Sequence, residues 1–320
     1  MKAVLWTGYG SPEFLRLRDV ERPVPGDDQV LVRVHAASIN SWDWDLLMGN
    51  ATMTLGGRLR PKYRILGCDV SGVVESTGRN VRRLRPEDEV FGDMSRFGWG
   101  GFAEYACAGE QAFSLKSPKM SFAQAASLPQ ASVLALQGLR DKGRIRARQN
   151  VLINGGGGGV GTLAIQLAKH NGADVTAVDR REKLETMRSV GADHIIDFAR
   201  EDFTRNGERY DLILDVAASR SIFDYKKALS EKGRCVIIGG KSGKVFQALF
   251  FGSWMLGRRK VKLLLYDQNP ADQDVIREMF DSGVVRPVID RCYPLDRTAE
   301  AFRYFGEGAF KGKIVVTVRE

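Results

Sequence analysis

Histidine and cysteine are scarce in this chain of 320 residues, with three of the first and four of the second. The thiols Cys68, Cys107, Cys235 and Cys292 form no Cys-x-x-Cys pair, so zinc-ribbon and thioredoxin-like readings fail. His35, His170 and His194 stand too far apart in sequence to suggest a multi-histidine metal site. Long apolar runs are missing too. The longest, 245–256, is broken by Gln247, Gly252 and Ser253, and a spanning helix needs about 20 residues. The first eight residues, MKAVLWTG, carry no signal-peptide core, so reduced thiols in a cytoplasmic compartment are the expectation. Acidic residues are the minority: 39 against 48 basic, a net charge of +9. That balance favours anionic partners such as a phosphate-bearing cofactor, a nucleic acid or an acidic membrane.

What is present is ordinary for a globular chain. Apolar residues make up 43% and charged residues 27%, which excludes disordered and fibrous classes. The length suggests about two domains. Glycine is the excess, at 35 residues, against about 7% of an average sequence. Such an excess without a period points to tight turns and close backbone approaches.

Residues up to about 120 read as β-rich, with strand candidates at 29–36, 70–76, 89–92 and 102–106 separated by glycine-rich joints. Segments 122–128 and 133–139 read as helical. Strands and helices then alternate: strands at 150–153, 174–178, 210–215 and 234–238, helices at 160–171, before Gly191 and at 221–229. Short joints between them predict a parallel, doubly wound sheet, hence an α/β fold. The tail, 312–318, returns to strand character.

The strongest motif is Asn154-Gly155-Gly156-Gly157-Gly158-Gly159-Val160-Gly161. Only one G-x-G-x-x-G register fits it: Gly156, Gly158 and Gly161. It follows a buried-strand run and opens a helix whose apolar face carries Val160, Leu163, Ala164, Leu167 and Ala168. The first glycine permits the turn, the second lets the backbone approach a pyrophosphate, and the third lets helix pack on strand. The helix N-terminus then faces the phosphates. At the end of the second strand stands Asp179, 23 residues after Gly156, where a carboxylate would accept from a ribose 2′-hydroxyl. Arg180, Arg181 and Lys183 beside it suit a 2′-phosphate instead, so the two signals conflict.

In its ordered set of motifs the chain resembles the medium-chain dehydrogenase/reductase superfamily, in its zinc-independent quinone oxidoreductase and alkenal/enone reductase branch. The pieces are Ala36-Ala37-Ser38-Ile39-Asn40-Ser41-Trp42-Asp43-Trp44, then Leu66-Gly67-Cys68-Asp69-Val70-Ser71-Gly72, then Gly100-Gly101-Phe102-Ala103-Glu104-Tyr105. Ala125-Ala126-Ser127-Leu128-Pro129, the glycine loop and Gly191-Ala192-Asp193-His194 complete it. The resemblance implies a GroES-like substrate domain over 1–120 and 285–320, with a Rossmann NAD(P)-binding domain over 121–284 between them. In zinc-dependent relatives Asn40 is a cysteine and Cys68 a histidine, and the four-cysteine lobe is missing here, so no catalytic zinc is implied. The counterpart of Lys183 contacts the 2′-phosphate in NADPH-using members. Phe198 replaces their phosphate-binding tyrosine and Asp179 their small residue. Leu134 stands where a threonine often lies near the nicotinamide. NADPH is the implied cofactor and NADH the alternative.

Hydride transfer needs an acceptor held close to the donor carbon and a hydrogen-bond donor on the developing oxyanion. Asn40 is the candidate for polarising a carbonyl or quinone oxygen through its amide N–H. Tyr63 is a second donor or a pocket wall, and Trp44, with Trp42, offers a flat apolar face. Asp43 reads as a loop-fixing carboxylate, and water as the proton source. The strand ends Asp215-Val216-Ala217 and Ile238-Gly239-Gly240 are candidates for the nicotinamide half, because strand C-termini line the ligand crevice. The expected activity is NAD(P)H-dependent reduction of an apolar quinone or α,β-unsaturated carbonyl. A zinc-independent alcohol or ketone reductase is the alternative, as is a basic nucleic-acid-binding protein retaining an NADPH site. The runs Arg79-Arg82-Arg83-Arg85 and Arg140-Lys142-Arg144-Arg146-Arg148 come without a nucleic-acid motif and read as solvated faces. Segment 245–262, apolar then basic, is a candidate membrane-surface contact set below the enzyme reading. Segment 258–266 reads as an apolar edge strand, and family members pair such edges, so a homodimer is expected.

Overall fold

The computed structural model describes residues 1–50, 64–240 and 260–319. Strands β1 (Lys2–Trp6) and β2 (Leu15–Asp19) form an antiparallel pair. β3 (Gln29–Ser38) runs into α1 (Ser41–Met48), which ends on Gly49 at φ +73°, a left-handed cap suited to glycine. Next come β4 (Asp69–Thr77), β5 (Glu89–Asp93), β6 (Tyr105–Gly109) and β7 (Phe113–Leu115). Helix α2 (Phe122–Ala126) starts from a capping box of Ser121 and Gln124, and α3 (Pro129–Gln137) begins at a proline.

The alternating segment then follows: β8 (Asn150–Asn154), α4 (Gly159–His170), β9 (Asp174–Asp179), α5 (Leu184–Ser189), β10 (His194–Asp197), β11 (Tyr210–Asp215), α6 (Ile222–Ala228), β12 (Leu229–Ile237) and β13 (Lys260–Leu263). The chain closes with α7 (Pro270–Asp281), β14 (Ile289–Pro294), α8 (Thr298–Glu307) and β15 (Lys313–Thr317).

Two compact units result. The first comprises Met1–Gln130, Gln268–Ser282 and Ile289–Glu320. Its larger sheet has the order β14-β15-β3-β4-β5-β7, with β6 also paired to β3. The core beneath it includes Val32, Val34, Ile39, Leu47, Phe102 and Phe302. The second unit comprises Ala131–Asp267 and Gly283–Val288. Its sheet has the order β10-β9-β8-β11-β12-β13, and every pairing is parallel. That is the doubly wound order, with the switch point between β8 and β11. The central strands carry the continuous apolar runs such a sheet requires, Val151-Leu152-Ile153 and Leu212-Ile213-Leu214, all fully buried.

The boundaries differ from the sequence expectation in three places, the smallest being residues 285–288, which cluster with the second unit rather than the first. Residues 121–130 belong to the first unit because α2 packs on β3 and β4, where Ser71 Oγ donates to Phe122 O at 2.6 Å. Helix α7 belongs there too, tied by Ser114 to Pro270 O and by Ser117 to Asp281. The strand expected at 102–106 begins only at Tyr105, since Phe102 bonds instead to Leu66 O and Val4 N. In α4, Val160 is half-buried rather than buried, while Thr162 and Ile165 join the buried face.

Candidate functional site

In the second unit the glycine loop connects β8 to α4 at the switch point. The N–H groups of Gly155 and Gly156 both donate to Val178 O, at 2.9 and 3.0 Å, stitching the loop to β9. The left-handed residue is Gly155 (φ +83°), so the tight turn falls one position earlier than the motif register placed it. A Cβ on Gly156 would lie 2.8 Å from Met187 Sδ, and one on Gly161 would lie 2.1 Å from Gly155 O. Gly161 is therefore the close helix-to-loop contact. Gly158 is different: its nearest neighbour would be Gly155 O at 3.6 Å, so this stretch of backbone stays open to an incoming group. Helix α4 starts at Gly159, and its first N–H groups follow directly.

Asp179, Arg180, Lys183 and Phe198 gather beside this loop at the ends of β9 and β10, where Asp179 pairs in register with Asp197. Asp179 is buried and already engaged. Its carboxylate accepts from Gly157 N at 3.0 Å and Arg180 N at 2.8 Å, and Lys183 Nζ lies 3.8 Å away. The Lys183 stem covers Gly157, where a Cβ would meet Lys183 Cβ at 2.5 Å. The conflict between the aspartate and the basic residues thus has a local structure: the carboxylate braces the glycine loop. Phe198 is half-exposed, and its N–H donates to Asp179 O at 3.2 Å.

Val216 and Ala217 come to Gly155 from β11. A Cβ on Gly155 would lie 3.3 Å from Val216 Cβ and 3.6 Å from Ala217 Cβ. The buried carboxylate of Asp215 holds them there, accepting from Tyr225 OH (2.7 Å), Asn154 Nδ2 (2.8 Å) and Ala217 N (3.0 Å). Burial pushes this acid up to about 6, against the opposing pull of those donors. Gly239 and Gly240 follow β12, the strand beside β11: Gly239 O accepts from Ala218 N at 2.9 Å, and Gly240 has φ +141°. Leu134 is an apolar core residue on α3.

In the first unit, Asn40 is the N-cap residue of α1 and is buried. Asp43 fixes the entry to that helix, as the sequence suggested. Its oxygens accept from Asn40 N and Gly67 N, both at 2.8 Å, and burial pushes it up to about 7 despite these bonds. The Asn40 side chain sits in a buried polar cluster. Its Nδ2 donates to Cys68 Sγ at 3.3 Å, and its Oδ1 accepts from Lys313 Nζ at 2.5 Å. Lys313 Nζ is also 3.5 Å from Asp69 Oδ2. Gln130 N donates to Asp69 at 3.1 Å, and Gln130 Nε2 reaches Cys68 Sγ at 3.7 Å. Burial pushes the Cys68 thiol well up, with the nearby carboxylates adding to the effect. Donor atoms of Cys68, Asp69 and Asp93 lie within 4.8 Å of one another.

Trp44 packs on Phe305 of α8, ring centroids 5.8 Å apart, and Trp42 packs against the same core. Tyr63 lies outside the described residues, as does the 245–259 part of the apolar-then-basic segment. Lys313, Asp69 and Gln130 were given no role from sequence. The available signal was a lysine opening the apolar run Ile314-Val315-Val316, since lysine is almost never fully buried unpaired.

Known proteins bear on both units. Residues 26–119 match the alcohol dehydrogenase GroES-like domain family, and residues 190–316 match the zinc-binding dehydrogenase family. A 2-methylene-furan-3-one reductase from Solanum lycopersicum is 34% identical over 99% of this chain and 79% of its own length. The chain belongs to the medium-chain dehydrogenase/reductase superfamily. An NADPH-dependent alkenal/one oxidoreductase from Arabidopsis thaliana, a chloroplastic protein, is 33% identical over the same shares. The quinone oxidoreductase structure from Coxiella burnetii superposes with a TM-score of 0.90 at 30% identity, covering 100% of this chain and 99% of that one. Like these quinone and alkenal members of the superfamily, the chain is an oxidoreductase built from a GroES-like and a Rossmann-type unit. No helix among the described residues is long and apolar enough to cross a membrane.

Proposed function

We propose that the protein reduces an apolar quinone or α,β-unsaturated carbonyl, using NADPH in preference to NADH and no metal. What carries this reading is that the chain holds both an open glycine loop, in one unit, and a buried asparagine amide, in the other. The relatives named for enone and quinone reduction support the acceptor class. When bound, NADPH supplies the hydride. Gly158 and the start of α4 would hold the pyrophosphate, and Val216, Ala217, Gly239, Gly240 and Leu134 would border the nicotinamide half. Asn40 donates an amide N–H to the substrate oxygen as it becomes an oxyanion. Water then delivers the proton.

A zinc ion does not fit the first-unit cluster. The Lys313 ammonium stands beside Asp69, Asn40 turns an N–H on the Cys68 sulfur, and burial disfavours the thiolate that zinc requires. For the adenosine half, Arg180, Arg181 and Lys183 favour a 2′-phosphate, and Asp179 is already bonded to the loop. Replacing Arg180 and Lys183 together with Ala should lower kcat/KM for NADPH at least tenfold, about 1.4 kcal/mol, and spare NADH. An unchanged NADPH/NADH ratio would assign this corner to NADH instead. The decisive experiment on the function is anaerobic oxidation of NADPH and NADH against quinones, enals, enones and simple ketones, with metal analysis of the same sample. Turnover of simple ketones alone, or stoichiometric zinc tied to activity, refutes the reading.

The four free thiols support a reducing compartment, cytoplasmic in this reading. Strand β13 ends the six-stranded sheet among the described residues, and Leu265 beyond it is 69% exposed. Both support the expected homodimer, which light scattering at micromolar concentration checks.

A further inference from the structure

An asparagine amide has two ends of nearly equal size, one accepting and one donating, and a half-turn exchanges them. Only one of the two orientations serves a reductase. The NH2 end must meet the substrate oxygen, because a carbonyl oxygen turned toward an oxyanion repels it. Asn40 alone does not decide between them. Its Cys68 partner is a thiol, a weak donor and a weak acceptor, which tolerates either end.

Lys313 does decide. It reaches Asn40 from a point 273 residues further along the chain, at 2.5 Å. An ammonium donates three hydrogen bonds and accepts none, so the end it meets must be the oxygen. The backbone enforces the meeting: Ile39 N donates to Ile314 O at 3.0 Å, and Val315 pairs in register with Ser38. The residues flanking Asn40 and Lys313 are thus bonded to each other. Asp69, 3.5 Å away, supplies the counter-charge that lets a lysine stay buried, and Gln130 N holds Asp69.

We propose that Lys313 is a positioning residue for Asn40. Its ammonium holds Oδ1, so the Nδ2 end carries the donors: one N–H on Cys68, and one drawn by the Asp69 carboxylate until the substrate oxygen takes it over. This inference rests on the proposed reduction and deepens it.

The test is a double-mutant cycle of Asn40→Ala and Lys313→Met, read as kcat at saturating NADPH with a quinone and an enone, beside the NADPH dissociation constant. Lys313→Met should lower kcat at least tenfold and move the dissociation constant less than twofold. Asn40→Ala should do the same, and the double variant should lose no more than about twofold beyond either single one. Lys313→Arg, still a pure donor, should recover part of the rate. If Lys313→Met does not fold, Asp69→Asn/Lys313→Met removes both charges together and takes its place. Losses that multiply in the double variant, or an unchanged kcat in Lys313→Met, overturn the inference alone. A wild-type protein inactive toward every quinone and enone overturns the functional reading and this inference with it.

Discussion

Each unit buries an aspartate within its candidate site, and the two are stabilised by opposite means. Asp69 in the first unit faces an ammonium, Lys313 Nζ at 3.5 Å. Asp215 in the second takes all its hydrogen bonds from neutral donors, a tyrosine hydroxyl, an asparagine amide and a backbone N–H, with the Arg220 charge acting on it only from further off. Burial raises the pKa of both, so neither arrangement fully replaces water. The difference lies in what happens when a partner goes. An ion pair is all or nothing, because removing one charge strands the other in a poor solvent. A set of neutral donors degrades step by step, each loss leaving the others in place.

The largest expected effect follows from that asymmetry. Lys313→Met should cost about 3–5 kcal/mol of stability, and Asp69→Asn/Lys313→Met should recover most of it. Tyr225→Phe, which removes one of three donors from Asp215, should cost only about 1–3 kcal/mol. Urea unfolding followed by circular dichroism measures all three. Equal losses for Lys313→Met and Tyr225→Phe would erase the distinction between the two sites.

The glycine loop provides a second contrast, inside one motif. Gly161→Ala puts a methyl 2.1 Å from a backbone oxygen that cannot swing away, so α4 must shift, at about 1–3 kcal/mol. Gly158→Ala meets nothing closer than 3.6 Å and should leave stability within about 0.5 kcal/mol. Its methyl instead enters the space offered to the pyrophosphate, so NADPH affinity should fall while the melting temperature holds. Calorimetric melting and a fluorescence titration of both variants separate fold from binding. An unaltered affinity in Gly158→Ala places the phosphates elsewhere.

The second unit was far more legible in the sequence than the first. A parallel sheet writes itself as apolar runs separated by helical periods, and its ligand loop must be glycine where backbones touch. Strand Tyr210–Asp215 emerged with its expected limits. A displaced detail, the turn at Gly155 rather than Gly156, lies within a run of five glycines where composition cannot set register. The first unit's cluster was legible only at Asn40 and Asp43, which are three residues apart in a local turn. Lys313, Asp69 and Gln130 converge from three distant segments, and nothing local marks a lysine as buried. The loop-bracing bond of Asp179 was not legible for a related reason. Spacing placed the carboxylate beside the loop, but its bond to Gly157 N depends on the path of the loop itself.

The smallest effect expected from the comparison is a pH dependence, and it singles out Asp215. In the unfolded chain this acid titrates near its ordinary value, about 3.9. In the folded protein burial raises it to about 6. Below about pH 4 both states are protonated, and the full stabilisation from the raised value is present. As pH climbs toward 6 the unfolded chain gives up its proton first, so stability falls. Above about pH 7 both states are ionised and nothing further is lost. Between pH 5.5 and 7.5 this group alone should remove about 1 kcal/mol. Asp43 and Asp69, also raised, add slopes of the same sign, so the wild-type curve alone cannot isolate it. Asp215→Asn can, because the amide imitates the protonated acid at every pH: its oxygen accepts from Asn154 and Ala217, and its NH2 donates to a turned Tyr225 hydroxyl. Relative to wild type the variant should therefore gain stability as pH rises from 5.5 to 7.5, and unfolding in urea across that range should show the gap moving by about 1 kcal/mol. A constant gap would mean that the neutral donors fully compensate the buried charge, leaving the two aspartates of this protein alike after all.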